Sequence, residues 1–106
     1  MGFKVTVEES RGSASITLVG ELDAASAPQF KEAIEQAALG TPERLVLRME
    51  ELEFMASAGL RVLIFARQKM GAGVALYVVG CRGPVLNTLK MSGFHHSVFL
   101  QDTVPE

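Results

Sequence analysis

The chain has 106 residues and a mass of 11.4 kDa, enough for one domain spanning 1–106 with a real core and little spare surface. Its net charge of −2 and the lack of aromatic residues interleaved with basic ones argue against nucleic-acid binding. No apolar run reaches membrane-span length, which argues against membrane insertion, and the single Cys81 cannot form an internal disulfide.

The opening MGFKVTVEES has no signal-peptide layout, so a reducing cytoplasm is the expected compartment. Its first residues match a myristoylation motif superficially, with no second anchoring feature beside them. Phe3, Val5 and Val7 alternate with polar residues and predict a half-buried strand. Ser10-Arg11-Gly12-Ser13 reads as a turn, and Ala14 to Glu21 as a second strand completing a hairpin. Ser26 then starts a helix, with Pro28 in the first turn and Ser26/Gln29 as a capping-box pair. Phe30, Ala33, Ile34 and Ala37 form its apolar stripe, and Gly40 marks its stop.

Glu43 to Met49 predicts a short, buried parallel strand, followed by an acidic turn. A second helix runs from Ser57 to Met70 and stops near Gly71-Ala72-Gly73. Val74 to Val79 predicts a fourth strand. A third helix carries Pro84, Val85, Leu86, Leu89 and Lys90 and ends at Ser92-Gly93, and Ser97 to Leu100 is a short last strand. The order β-β-α-β-α-β-α-β predicts an α/β domain: a mixed sheet of about five strands, parallel after the hairpin, with helices packed on it. Parallel strands share one C-terminal edge, so the loops at Asp23, at Ala56-Ser57 and at Cys81-Arg82 are expected to gather there.

The chemistry centres on Ser57, where a loop off a strand becomes a helix N-terminus. Unpaired N–H groups and the helix dipole favour an oxyanion or phosphate at such a place. On a helical wheel, Gly59, Val62, Leu63, Ala66 and Met70 form a core stripe, whereas Ser57, Leu60, Arg61, Ile64 and Gln68 share another face. Two large aliphatics beside a hydroxyl read as a docking patch. Charge is uneven: residues 1–57 hold ten acidic and five basic side chains, while Arg61, Arg67, Lys69, Arg82 and Lys90 stand unopposed between Ala58 and Gln101, predicting a positive rim.

A hydrolase reading of Ser57 lacks the first glycine of the nucleophile elbow, replaced by Met55, and has no acid between Ser57 and His95. His95 and His96 are adjacent, so an extended chain points them to opposite faces, without a ligand partner at metal-binding spacing.

FMASAGLRVL, together with GELDAASAPQFKEAI and LKMSGFHHSVF, resembles the STAS-domain family of anti-sigma factor antagonists, and the similarity covers nearly the whole chain. The resemblance implies that Ser57 is the phosphorylated serine; taken with the outer helix face and the shared strand edge, it makes Asp23, Ala56, Ser57, Ala58, Leu60, Arg61 and Ile64 the expected partner-binding residues. That partner would be an anti-sigma factor with Ser/Thr kinase activity. It would release its sigma factor on binding and phosphorylate Ser57 to reset the switch, and a phosphatase would restore the serine. ATP and magnesium would belong to the kinase, so no cofactor is expected here. The phosphate would be received by the N–H groups of Gly59 and Leu60, with Arg61 one turn away.

Three departures from the family pattern stand out. Ala56 occupies a position that is often Asp, Arg48 falls where the family's third strand ends in an acidic residue, and the sequence closes at QDTVPE where many relatives continue into a helix. A second reading makes the chain a STAS subunit of a lipid- or anion-transport complex or a stress-signalling particle, with Ser57 only an N-cap. A small serine hydrolase is the third.

Overall fold

Alternation along the first two strands sets the two faces of the sheet. In the computed structural model, which describes residues 2–104, β1 (Phe3–Ser10) pairs antiparallel with β2 (Ser13–Leu22). Phe3, Val5 and Val7 stand opposite Gly20, Leu18 and Ile16, so the apolar side chains collect on one side. There follow α1 (Ala27–Leu39), β3 (Arg44–Met55), α2 (Ser57–Met70), β4 (Ala75–Val79), α3 (Gly83–Ser92), a 3-10 turn (Phe94–Ser97) and β5 (Phe99–Gln101). The sheet order is β1-β2-β3-β4-β5, with every pairing after the hairpin parallel.

A chain that crosses a parallel sheet in one direction through right-handed crossovers lays its helices on one face. Accordingly, Ile34, Leu63, Ala66, Val85 and Leu89 share a single core with Ile16, Leu18, Leu45, Leu47, Leu76 and Val78. The opposite face carries Glu8, Ser15, Val46, Tyr77 and Phe99 in register across all the strands, with the Tyr77 and Phe99 rings stacked at 4.9 Å.

The largest difference from the sequence expectation lies in β3. It does not end at Met49 before an acidic turn but runs on to Met55. Its register against β2 jumps from Thr17↔Arg48 to Val19↔Glu51, and again from Gly20↔Leu52 to Glu21↔Phe54. Each jump is an extra residue on β3, a bulge that bends the strand and re-aims its side chains. Glu50, Glu51 and Glu53 are thereby exposed while Leu52 and Met55 stay in the core. Bulges broke the alternation, and the acidic residues imitated a turn. Gly20 sits at the second bulge with φ +97°, where a side chain would strike the Gly2 carbonyl. Arg48 is therefore a mid-strand residue and marks no strand end.

The other differences are smaller. α1 ends where expected, but the left-handed residue is Thr41 (φ 45°), not Gly40. Left-handed Gly93 turns the chain directly into the 3-10 segment, and the Ser92 hydroxyl accepts from the Phe94 N–H (3.2 Å), so the last strand begins at Phe99 instead of Ser97. Within that turn His95 and His96 do not diverge, and their ring centroids lie 3.9 Å apart.

Candidate functional site

The extension of β3 brings the Asp23 and Ser57 loops together. Leu22 and Met55 form the last rung of the β2–β3 ladder, and the Ala56 N–H donates to the Leu22 carbonyl at 2.8 Å. Asp23 and Ser57 therefore emerge side by side from one sheet edge. The first turn of α2 rests directly on the end of β2. A Cβ at Gly59 would lie 2.6 Å from Leu22 Cδ2 and 3.1 Å from Met55 Cγ, and Leu22 is fully buried. Gly59 is thus the residue that lets the Ser57 turn sit this low.

The third expected loop does not join them. β4 stops at Val79, level with Arg48, while β3 continues to Met55. Cys81 is buried in the core, where desolvation pushes its thiol up to about 11. Arg82 donates to the Glu50 carbonyl (3.3 Å), well short of Ser57 along β3.

Ser57 is the first residue of α2, and the N-cap position belongs to Ala56 in extended conformation. The N-cap role considered for Ser57 is therefore not the one it holds. Its side chain is exposed. The N–H groups of Gly59 and Leu60 both donate to the Ala56 carbonyl (3.0 and 3.2 Å), so they are not free for a phosphate. The open end of the helix is instead formed by the N–H groups of Ser57 and Ala58.

The core stripe holds as expected: Gly59, Val62, Leu63 and Ala66 are buried. On the outer face, Arg61 is exposed, Leu60 is half-buried against the core, and Ile64 is 43% exposed. Ile64 borders a shallow depression of about 300 Å³ with Arg67, Gln68, Phe94 and Ser97. Ala58 and Arg61 face the other way, toward α1. Ser57 stands at the head of the helix between these flanks.

Asp23 is held by a residue the sequence had assigned to a different task. Ser26 makes no side-chain cap and no box with Gln29. Its buried Oγ accepts from the Asp23 N–H (2.9 Å) and lies within donating reach of the Asp23 carboxylate (3.0 Å) and the Glu21 carbonyl (3.1 Å). The Ser26 N–H also donates to Asp23 Oδ1 (3.0 Å). These Ser26 bonds, backbone first and side chain second, hold the Asp23 carboxyl below its ordinary value of 3.8.

Two further residues were not singled out by pattern. Phe54, just before the turn, is 46% exposed, and Phe65 lines the cleft toward α1. Phe54 belongs to the bulged segment where alternation fails. Phe65 falls at the boundary of the two wheel faces, which was the available signal. The positive rim is also narrower than the charge count implied, because Arg67 is spent on backbone carbonyls of Gly71, Val74 and Ser97 (2.5, 2.6 and 3.3 Å). Among the described residues, no group of three or more His, Cys, Asp or Glu side chains is placed to hold a metal ion.

A one-faced mixed sheet with an exposed serine opening its second helix defines a class. The STAS domain family model matches residues 4–106, and the chain belongs to that family. Over 81 residues it is 36% identical to the anti-sigma-F factor antagonist RsfB of Mycobacterium tuberculosis, covering 76% of this chain and just under two thirds (66%) of that protein. The crystal structure of an anti-sigma factor antagonist from Mycobacterium paratuberculosis matches with a TM-score of 0.88 and 28% identity, over 97% of this chain and 88% of that one. The phosphorylated form of the Bacillus cell fate determinant SpoIIAA shares the fold, with a TM-score of 0.75 and 22% identity over 95% and 92% of the two chains.

Proposed function

We propose that this chain is an anti-sigma factor antagonist: a cytoplasmic binding module, not an enzyme, that docks on an anti-sigma factor through the Ser57 surface and is released when Ser57 is phosphorylated. One observation carries the reading. An exposed hydroxyl at the first position of α2 stands beside Leu60 and Ile64 and next to the Asp23 loop, joined through the Ala56–Leu22 bond. The names of the relatives supply the partner class.

The physics of the switch follows from this placement. A phosphoserine carries close to two negative charges. At the head of α2 the dipole favours it by roughly 0.3–1 kcal/mol, and Arg61 lies one turn on. Ala56 adds no like charge beside it. The modification is therefore comfortable in the free chain and costly in the complex, where a dianion must be desolvated against Leu60, Ile64 and an apolar partner surface. The kinase would be the anti-sigma factor itself, using its own ATP and magnesium, and a phosphatase would reverse the step.

Ser57→Asp should keep a melting temperature near that of the unmodified chain and weaken partner binding at least about tenfold, roughly 1.4 kcal/mol. Ser57→Ala should bind and resist phosphorylation. Mass spectrometry after incubation with the partner and ATP checks the site. A phosphate elsewhere, or full binding by Ser57→Asp, would sink the reading.

A further inference from the structure

Beside Ser57, on the flank of α2 away from Ile64, an open groove of about 480 Å³ runs between α1 and α2. Its walls are small or apolar (Ala24, Ala27, Pro28, Ala58, Val62 and Phe65), and the only charged side chains lining it are Lys31 and Arg61. The Lys31 ammonium sits 5.0 Å from the centre of the Phe65 ring, which holds it at the rim instead of leaving it to wander. Among the described residues no carboxylate lines the groove, in a chain whose acidic side chains outnumber its basic ones, 12 to 10.

We propose that this groove receives an acidic amphipathic segment of the partner protein, one apolar side chain seated between Ala27, Ala58 and Phe65 and flanking carboxylates paired with Lys31 and Arg61. The inference rests on the docking role given to the Ser57 surface and extends it onto α1. Three observations specify the occupant. The lining takes a modest apolar side chain, because three alanines and a proline leave room that the core has not filled. The two cations on the rim, unopposed by any lining acid, set the sign of the flanking charges. Ala58 and Arg61, which line the groove, closely follow Ser57 on α2, so the groove is continuous with the Ser57 contact. The division of labour is physical: the Ser57 patch responds to phosphate, while the groove supplies charge-based selection among partners.

The test needs only the intact chain and a displayed library of random short peptides. Selection should enrich peptides with Asp or Glu flanking a single Leu, Phe or Met. Their binding should fall roughly tenfold or more on Lys31→Glu, survive Lys31→Arg, weaken as salt rises, and be unaffected by Lys69→Glu, which makes the same charge change at the far end of α2, outside the groove. Amide shifts on titrating an enriched peptide should map to Ala27, Lys31, Ala58 and Phe65. Lys31 is exposed, and melting curves of its variants should match the parent. Failure to enrich, enrichment of basic or uncharged sequences, indifference to Lys31→Glu, or self-association of the chain that Lys31→Glu abolishes would each overturn the proposal. None of these outcomes involves an anti-sigma factor or a kinase, so failure here is separable from failure of the Ser57 switch.

Discussion

At the scale of single residues, the most consequential pair is Asp23 with Ser26. By local pattern Asp23 belongs to the partner surface and Ser26 to a helix cap. The structure ties them into one loop lock. Asp23→Ala therefore removes an acceptor from two Ser26 donors as well as a surface charge, and it should destabilise the domain as well as weaken docking. The pH dependence has a definite sign. The folded carboxyl titrates below its ordinary 3.8, so its contribution is complete above that value and disappears as pH falls through the depressed folded value. Thermal melts of the parent and Asp23→Asn should differ at neutral pH and converge in strong acid. Ser26→Ala, which touches no surface charge, should reproduce the loss of stability and blur the position of Asp23. That would show as weaker binding with an unchanged salt dependence.

At the scale of an element, α2 has a core side that cannot yield and an outer side that can. Gly59→Ala should cost about 1–3 kcal/mol in urea unfolding, because the added methyl meets buried Leu22 and Met55 with no solvent to move into. It should also lift the Ser57 turn and so reduce phosphorylation. On the outer side, Ile64→Glu should melt like the parent and lose partner capture, since Ile64 is already 43% exposed. Leu60→Glu should lose capture too, but with a measurable fall in melting temperature, because Leu60 packs partly against the core. The two variants were equivalent on the wheel. Packing beneath the helix makes them different.

At the scale of the whole molecule, Arg67 fastens three parts that meet far from Ser57. Its guanidinium binds the end of α2, the approach to β4 and the 3-10 turn through the Gly71, Val74 and Ser97 carbonyls. Arg67→Met keeps much of the apolar stem and leaves those acceptors to water. A destabilisation of about 1–3 kcal/mol by chemical denaturation is expected, with partner binding at saturating folded protein unchanged. Arg67 lies outside the groove and away from Ser57 but lines the same depression as Ile64, so comparing this variant with Ile64→Glu separates loss of fold from loss of the docking contact.

Local pattern was enough for much of this protein. Alternation in β1 and β2, the helical stripes of α1 and α2, and the connection order specified a mixed α/β sheet with helices packed on it, because side-chain period and crossover handedness are local rules. The turn into α2 carried Ser57 and its outer neighbours to their observed places for the same reason. What only the tertiary structure decided depends on partners distant in sequence. The two bulges that carry β3 to Met55 exist through register against β2, and they bring Asp23 to Ser57 while leaving Arg82 behind. Ser26 is an ordinary helix start until Asp23 folds back onto it. Lys31 and Phe65 acquire a shared groove only when α1 and α2 lie side by side, 34 positions apart along the chain, where no local period registers the contact.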